Sequence, residues 1–218
     1  MSALEVRMFT VGPVQENCYV VRAEGQSRGA LLVDPGEEAP RLEAAIAELG
    51  VEIEAILITH CHFDHIGAVA PLARATGAPV YCPRIEEPLL RDINAWTPPG
   101  FGPFESWEPE QTLAGGERLS LAGIDIEVLF TPGHSPGHLT YALPGALLSG
   151  DVLFQGSIGR TDLPGGDWNV LERSIGELAE RFPEETVIYP GHMGVTTLGR
   201  EVQTNPFLAV IRTALVGR

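Results

Sequence analysis

Seven side chains in this sequence have the chemistry and the spacing to hold metal ions. Four fall in one run, Thr59-His60-Cys61-His62-Phe63-Asp64-His65: His60, His62, Asp64 and His65. The others are His134, Asp151 and His192. Five of the six histidines belong to the set, His138 being the exception. Neutral imidazoles and carboxylates suit zinc, iron or manganese. In a turn, His60-x-His62 lets two imidazoles reach one ion, while Asp64 and His65 on the next turn can point at a second. His134 can complete the first site and His192 the second, and Asp151 can bridge both. Two ions held ~3.5–4 Å apart acidify a water and polarise a carbonyl, which is the chemistry of metal-assisted hydrolysis. The oxyanion that forms is then stabilised electrostatically. Asp64 is read both as a ligand and as a proton acceptor for the attacking water. A closed structural zinc site takes four ligands and usually includes cysteine. Seven nitrogen and oxygen candidates exceed what one such site can use.

Five apolar runs must position these groups, and each ends in a polar residue at a turn. Ala30–Val33 leads to Asp34-Pro35-Gly36, and Ala55–Thr59 leads to His60. Ile126–Phe130 leads to Thr131-Pro132-Gly133-His134, Ala146–Ser149 to Gly150-Asp151, and Val187–Tyr189 to Pro190-Gly191-His192. Short runs rich in Ile, Val and Leu, bounded by Gly and Pro, read as buried strands. Every candidate ligand then lies just past the C-terminal end of a strand, where rigid elements hold a metal well. Helices are predicted over Glu37–Leu49 with Gly50 as the stop, over His65–Thr76, and over Asp167–Phe182 with an Asp cap. A last one is predicted over roughly Asn205–Val216. Residues 1–115 carry the seven-residue cluster and 117–192 the other three ligands. Two sheets packed on each other with helices outside is the natural arrangement.

The rest of the chain sets bounds on function. At 218 residues it is read as one domain, 1–218, with 44% apolar and 20% charged residues. Twenty-nine acidic against fourteen basic side chains give a formal charge of −15. That field repels phosphate backbones, so a nucleic-acid partner is not expected. No apolar run approaches the ~18 residues that span a bilayer, so no membrane partner is expected. The N-terminus lacks the basic-then-apolar pattern of a secretory signal. Cys18, Cys61 and Cys82 are odd in number without C-x-x-C spacing, which fits free thiols and a cytoplasmic location. The expected partner is a small-molecule substrate; oligomeric state is left open.

The run at 59–65 resembles the H-x-H-x-D-H signature of the metallo-β-lactamase superfamily. Asp34-Pro35-Gly36, Thr131-Pro132-Gly133-His134, Ser149-Gly150-Asp151 and Tyr189-Pro190-Gly191-His192 match its other motifs in the same order. The resemblance implies an α/β fold, the four-layer αββα sandwich, with a dinuclear site between the sheets. Zinc is the expected ion, with iron or manganese also suited. Within the superfamily the sequence resembles the short bacterial glyoxalase II-like (hydroxyacylglutathione hydrolase-like) proteins. The loop Gly156–Asp167 and the ending Thr196-Thr197-Leu198-Gly199 through Asn205-Pro206-Phe207-Leu208 carry that likeness. It implies hydrolysis of thioesters such as S-acylglutathione by a metal-bound hydroxide, and a substrate contact from Arg160. Longer glyoxalase II enzymes carry a C-terminal helical domain with glutathione contacts, and this sequence stops before one. Met193 stands where the family often has Gly, and is expected to narrow the pocket.

Alternatives accompany this reading. Arg160 can pair with a substrate carboxylate or with Asp162. His138 reads as a residue behind the ligands, Asp34 as a support for the metal loops, and Cys61 as core packing. The aromatics of the 96–107 loop can line an acyl pocket, act as a lid or lie idle on the surface. Thr-His-Cys-His and Gly-Arg-Thr-Asp also resemble the persulfide dioxygenases, mononuclear iron enzymes of the same fold. A lactone or other ester hydrolase and a non-catalytic metal-binding interaction protein complete the alternatives.

Overall fold

The apolar runs become the central strands of two six-stranded sheets in the computed structural model, which describes residues 4–25 and 28–209. The first sheet holds β1 (Leu4–Val11), β2 (Glu16–Ala23), β3 (Gly29–Val33), β4 (Glu52–Leu57), β5 (Val80–Pro83) and β6 (Gln111–Leu113), in that order. The next strands in the chain are β7 (Arg118–Leu121), β8 (Ile124–Phe130), β9 (Leu139–Leu143), β10 (Ala146–Gly150), a small ribbon of β11 (Leu153–Phe154) and β12 (Ser157–Ile158), then β13 (Val187–Pro190) and β14 (Thr196–Thr197). The second sheet has the order β14-β13-β10-β9-β8-β7.

The helices are α1 (Ala39–Leu49), α2 (Phe63–Ile66), α3 (Val69–Thr76), α4 (Glu87–Arg91), α5 (Ile93–Trp96), α6 (Trp168–Arg181) and α7 (Leu198–Thr204). Three apolar cores separate the four layers. On β3, Leu31 and Val33 face the inter-sheet core with Val128, Leu139 and Tyr141. Ala30 and Leu32 face outward to Leu42 and Ile46 of α1 and Leu72 of α3. This alternation is the period-two geometry of a strand covered on both faces. Beyond the second sheet, Leu147 and Ile188 pack on Leu171, Ile175 and Leu178 of α6. The structure is thus the αββα sandwich that the resemblance implied.

Helix ends follow local chemistry. Asp167 accepts a hydrogen bond from Val170 N at 2.9 Å and caps α6. Gly50, at a φ of 63°, closes α1. Three boundaries differ from expectation. α1 starts at Ala39 rather than Glu37, because Glu38 is left-handed (φ 55°) and Pro40 fixes the first turn. The helix expected over His65–Thr76 starts at Phe63 and is split at Gly67-Ala68. There the chain presses on the 34–36 loop: Ala68 N donates to Pro35 O, and a Cβ on Gly67 would lie 2.4 Å from Gly36 O. At 206–208 the chain makes a 3-10 turn, Pro206–Leu208, and residues 210–216 of the expected helix lie outside the described residues.

β8, β10 and β13 all run the same way, since β8 and β10 each oppose β9 and β10 is parallel to β13. Their C-terminal ends therefore deliver His134, Asp151 and His192 to one edge. The end of β4 is tied to that edge by Leu139 N donating to Thr59 O and Tyr141 OH donating to Ile58 O. Among the described residues no helix is long and apolar enough to cross a membrane.

Candidate metal centre

All seven candidate ligands meet at this edge. Nδ1 of His62 lies 3.1 Å from Nε2 of His60 and 2.9 Å from Nε2 of His134. Asp64, His65 and His192 form a second group, with His192 Nε2 3.3 Å and His65 Nε2 3.9 Å from Asp64 Oδ2. Asp151 faces both groups: Oδ2 is 3.4 Å from His134 Nε2 and 3.6 Å from His192 Nε2, and Oδ1 is 3.4 Å from His65 Nε2.

The outer nitrogens of four imidazoles are committed elsewhere, which fixes what the inner ones offer. His134 Nδ1 donates to Arg160 O at 2.7 Å, and His192 Nδ1 to Gln15 O at 3.2 Å. Thr59 Oγ1 gives its proton to Asp34 and so accepts from His60 Nδ1. His65 Nδ1 faces Asp34 Oδ2 at 3.1 Å. Each of these four therefore turns Nε2 inward, the arrangement by which a partner behind a histidine sets its tautomer for metal binding. A further grouping of Asp34, His60 and His65 is close enough to hold an ion. Its carboxylate is already occupied by Thr59 N, Thr59 Oγ1 and His65, so we read Asp34 as support.

A metal fits this site on the structure's own terms. His65 Nε2 and Asp151 Oδ1 are buried and make no hydrogen bond among the described residues, and such atoms are costly unless something binds them. Three imidazoles converge lone pairs on one point and two carboxylates face the rest. The set contains no thiolate, so it suits zinc, iron or manganese. Glycine makes room for it: a Cβ on Gly191 would lie 2.2 Å from Asp151 Oδ1.

Charge is partitioned unevenly. Burial, then the neighbouring imidazoles His65, His62 and His134, keep His60 neutral at physiological pH. Burial and His134 push His62 down to about 4. Burial also opposes a charge on His65, but Asp151 and Asp64 outweigh it and raise its pKa well above the usual value. Burial likewise opposes ionisation of Asp151, and His65 outweighs it, leaving that carboxyl well below the usual range. At pH 7 the metal-free site thus holds a proton on His65 that a ligand nitrogen cannot keep. Metal loading in weakly buffered solution should release about one proton per chain from this group, and the affinity should fall as pH falls. Loading with no acidification on a pH-indicator dye would contradict the pairing of His65 with Asp151.

Other expectations fall out variously. His138 Nε2 accepts from Asp151 N at 3.0 Å, with its other nitrogen 3.1 Å from Thr131 Oγ1; it orients the Asp151 backbone and is not among the converging ligands. Arg160 makes a two-pronged pair with Asp162, at 2.6 and 2.7 Å, at the rim. The Cys61 thiol packs in the outer core, 3.4 Å from the Cys82 sulfur. Met193 lines the cleft and is left-handed, φ 67°, a conformation Gly adopts without strain.

Two carboxylates escaped sequence reasoning. Glu86, buried ahead of α4, accepts from Cys61 N (2.6 Å), Ser135 Oγ and Gly137 N (2.7 Å). It ties the His60–His65 loop to the loop that carries His134. Glu16 is buried with neither oxygen hydrogen-bonded among the described residues, and its Oε1 is 3.7 Å from His65 Nδ1. Burial, only partly offset by His65, raises its pKa strongly, so it stays protonated. Ile85-Glu86-Glu87-Pro88 and Gln15-Glu16-Asn17 carry no local signal that sets them apart from solvated loop charges. At the same edge, Asn17 Nδ2 and Tyr19 OH donate to Pro190 O and steady the His192 loop.

A cleft of about 650 Å³ opens over the two ligand groups, with His62, Asp64, His134, Asp151 and His192 in its lining. Trp96 from the 96–107 loop lines it, whereas Phe101 packs tilted on Phe63 and Phe104 stacks on it, at 4.7 and 6.2 Å between centroids.

Comparison with known proteins gives a consistent result. The model of the metallo-beta-lactamase superfamily matches residues 11–192. A Bacillus subtilis (strain 168) protein described as the probable metallo-hydrolase YqgX is 39% identical over 209 residues, 93% of this chain and 96% of its own. The hydroxyacylglutathione hydrolase GloC of Haemophilus influenzae (strain Rd) is 34% identical over 210 residues, 94% of this chain and 98% of its own. Among solved structures, the BLEG-1 B3 metallo-beta-lactamase superposes with a TM-score of 0.88 at 38% identity, covering 94% of this chain and 100% of that one. TTHA1623 in a di-iron-bound form superposes at 0.82 with 43% identity, covering 93% and 100%.

Proposed function

This chain belongs to the metallo-β-lactamase superfamily, and we propose that within it the protein is a dinuclear hydrolase of thioesters such as S-acylglutathione. One observation carries the two-ion reading: a single carboxylate, Asp151, lies 3.4–3.6 Å from nitrogens of both ligand groups. His60, His62 and His134 would hold one ion, Asp64, His65 and His192 the other, with Asp151 shared. The di-iron form of TTHA1623 supports two ions, and the relationship to GloC supports a thioester. Ions bound there would supply an acidified water and a Lewis acid for the acyl oxygen.

The side chains supply the rest. Asp64 is held ionised: burial resists its charge, and His65 and His192 outweigh that. Its Oδ2 is placed to take the proton of the attacking water. Water adds to the acyl carbon, the C–S bond breaks, and a carboxylic acid and a thiol leave. A thiolate, whose conjugate acid has a pKa of about 8.5, departs without a proton donor. An amide nitrogen needs one, and the described lining, with no lysine or tyrosine, would leave that task to Asp64 after it has taken the water's proton. Arg160, exposed and with its guanidinium paired to Asp162 among the described residues, is placed to exchange that partner for a substrate carboxylate, because a solvent-exposed pair is held weakly.

Metal analysis with an acylglutathione assay tests the reading. The expected result is about two ions per chain with release of free thiol. One iron per chain, with oxygen uptake on glutathione persulfide, would replace it with a dioxygenase.

A further inference from the structure

We propose that the cleft is built to take a bulky apolar acyl chain, and that Trp96 sets this preference. The inference rests on the thioester reading above and names the acyl class. Away from the ligand residues, the wall is dominated by Phe63, Ile85, Leu89, Trp96, Phe154 and Met193. Three of these, Ile85, Leu89 and Trp96, come from one stretch after β5 that supplies no ligand. Ile85 and Trp96 are 55% and 59% exposed, and Met193 is 54% exposed. Large apolar side chains clustered this way around a polar floor mark a binding surface rather than scattered exposure.

The polar groups of the same wall do not offset this. Glu86 is filled by three donors and Ser135 is one of them. Arg160 is bound to Asp162 at the rim. What remains is an apolar trough continuous with the Asp64–Asp151 floor, where the acyl carbon must sit. Phe63, Leu89 and the exposed indole are apolar lining that a chain extending from that carbon would cover. A small polar acyl group such as lactoyl would leave the trough wet and contribute little.

Two measurements decide the matter. The first is kcat/KM on the natural-sequence protein for acetyl through decanoyl thioesters of N-acetylcysteamine, an uncharged carrier. It is expected to rise about two- to fourfold per methylene until the trough is full. In Trp96→Ala the octanoyl-to-acetyl ratio should fall at least about tenfold. The side chain is largely exposed, so melting of the variant should match the parent. The second is calorimetric binding of S-octyl and S-ethyl N-acetylcysteamine, thioethers that cannot be cleaved. The octyl compound is expected to bind at least about tenfold tighter. A flat chain-length series with equal thioether affinities overturns the inference while leaving thioester hydrolysis standing. An unchanged ratio in Trp96→Ala overturns the assignment to that residue. If no thioester is cleaved yet the octyl preference holds, the thioester reading falls and the apolar trough stands.

Discussion

Replacing Asp151 by alanine is expected to lower hydrolysis on the order of 10³-fold and to drop bound metal from about two ions per chain to one or fewer. The size follows from position. Asp151 follows β10 directly, is nearly inaccessible to solvent, and faces nitrogens of His65, His134 and His192. The chain is also built closely around it, since an added Cβ on Gly191 would overlap its carboxylate and one on Gly159 its backbone oxygen. Removal also strips His65 of the strongest of the charges that raise its pKa. The release of about one proton on metal loading should therefore shrink in the variant. Elemental analysis, steady-state rates and circular dichroism on the same preparation separate loss of metal from loss of fold. Full activity in a folded Asp151→Ala protein would remove metal chemistry from this site.

The second large effect is expected away from the ligands. Glu86→Ala should destabilise the protein by about 3 kcal/mol or more, since three buried donors lose their acceptor at about 1–3 kcal/mol each and such losses add imperfectly. For a chain of this size that corresponds to a fall in Tm of roughly 6–12 °C. Two of those donors are backbone N–H groups, Cys61 N and Gly137 N, lying in the two loops that carry His60–His65 and His134. The distance between His62 and His134 is thus set partly by a carboxylate that touches neither. Metal affinity should weaken by about 10- to 100-fold, as for other groups that orient ligands from behind. Glu86→Gln keeps the volume and one acceptor oxygen and should fall between the two. Thermal unfolding and chelator competition measure both effects. An Ala variant that melts and binds metal like the parent would show that the loops hold their geometry without Glu86.

Much of the site was legible because its signals are local and chemically rare. A run with His at 60, 62 and 65 and Asp at 64 has few structural uses, and the turns at Pro132-Gly133 and Pro190-Gly191 announce where strands stop. The helix expected as one piece over His65–Thr76 shows the opposite case. Pro71 lacks the N–H that would bond the Gly67 carbonyl and so allows a break there, but that the chain uses the break to press Gly67 against Gly36 of a distant loop is a tertiary fact. Glu38 is similar, since its left-handed backbone cannot be read from an acidic residue before Ala-Pro.

Sequence alone determined which groups can bind metal and that each follows an apolar run, because ligand chemistry and strand periodicity are properties of residues and their immediate neighbours. Their division into two groups with Asp151 between them was anticipated from spacing and the family resemblance, but its geometry was decided only by the shared direction of β8, β10 and β13 and by the bonds that tie the end of β4 to their edge. Tertiary structure alone also selected the inward nitrogen of His60, His65, His134 and His192. That choice depends on Thr59, Asp34, Arg160 and Gln15, and except for Thr59 these lie many residues from the imidazoles they hold. The buried carboxylates Glu16 and Glu86 belong to the same class. A carboxylate's role depends on which donors surround it, and those donors are brought together only when the two sheets pack.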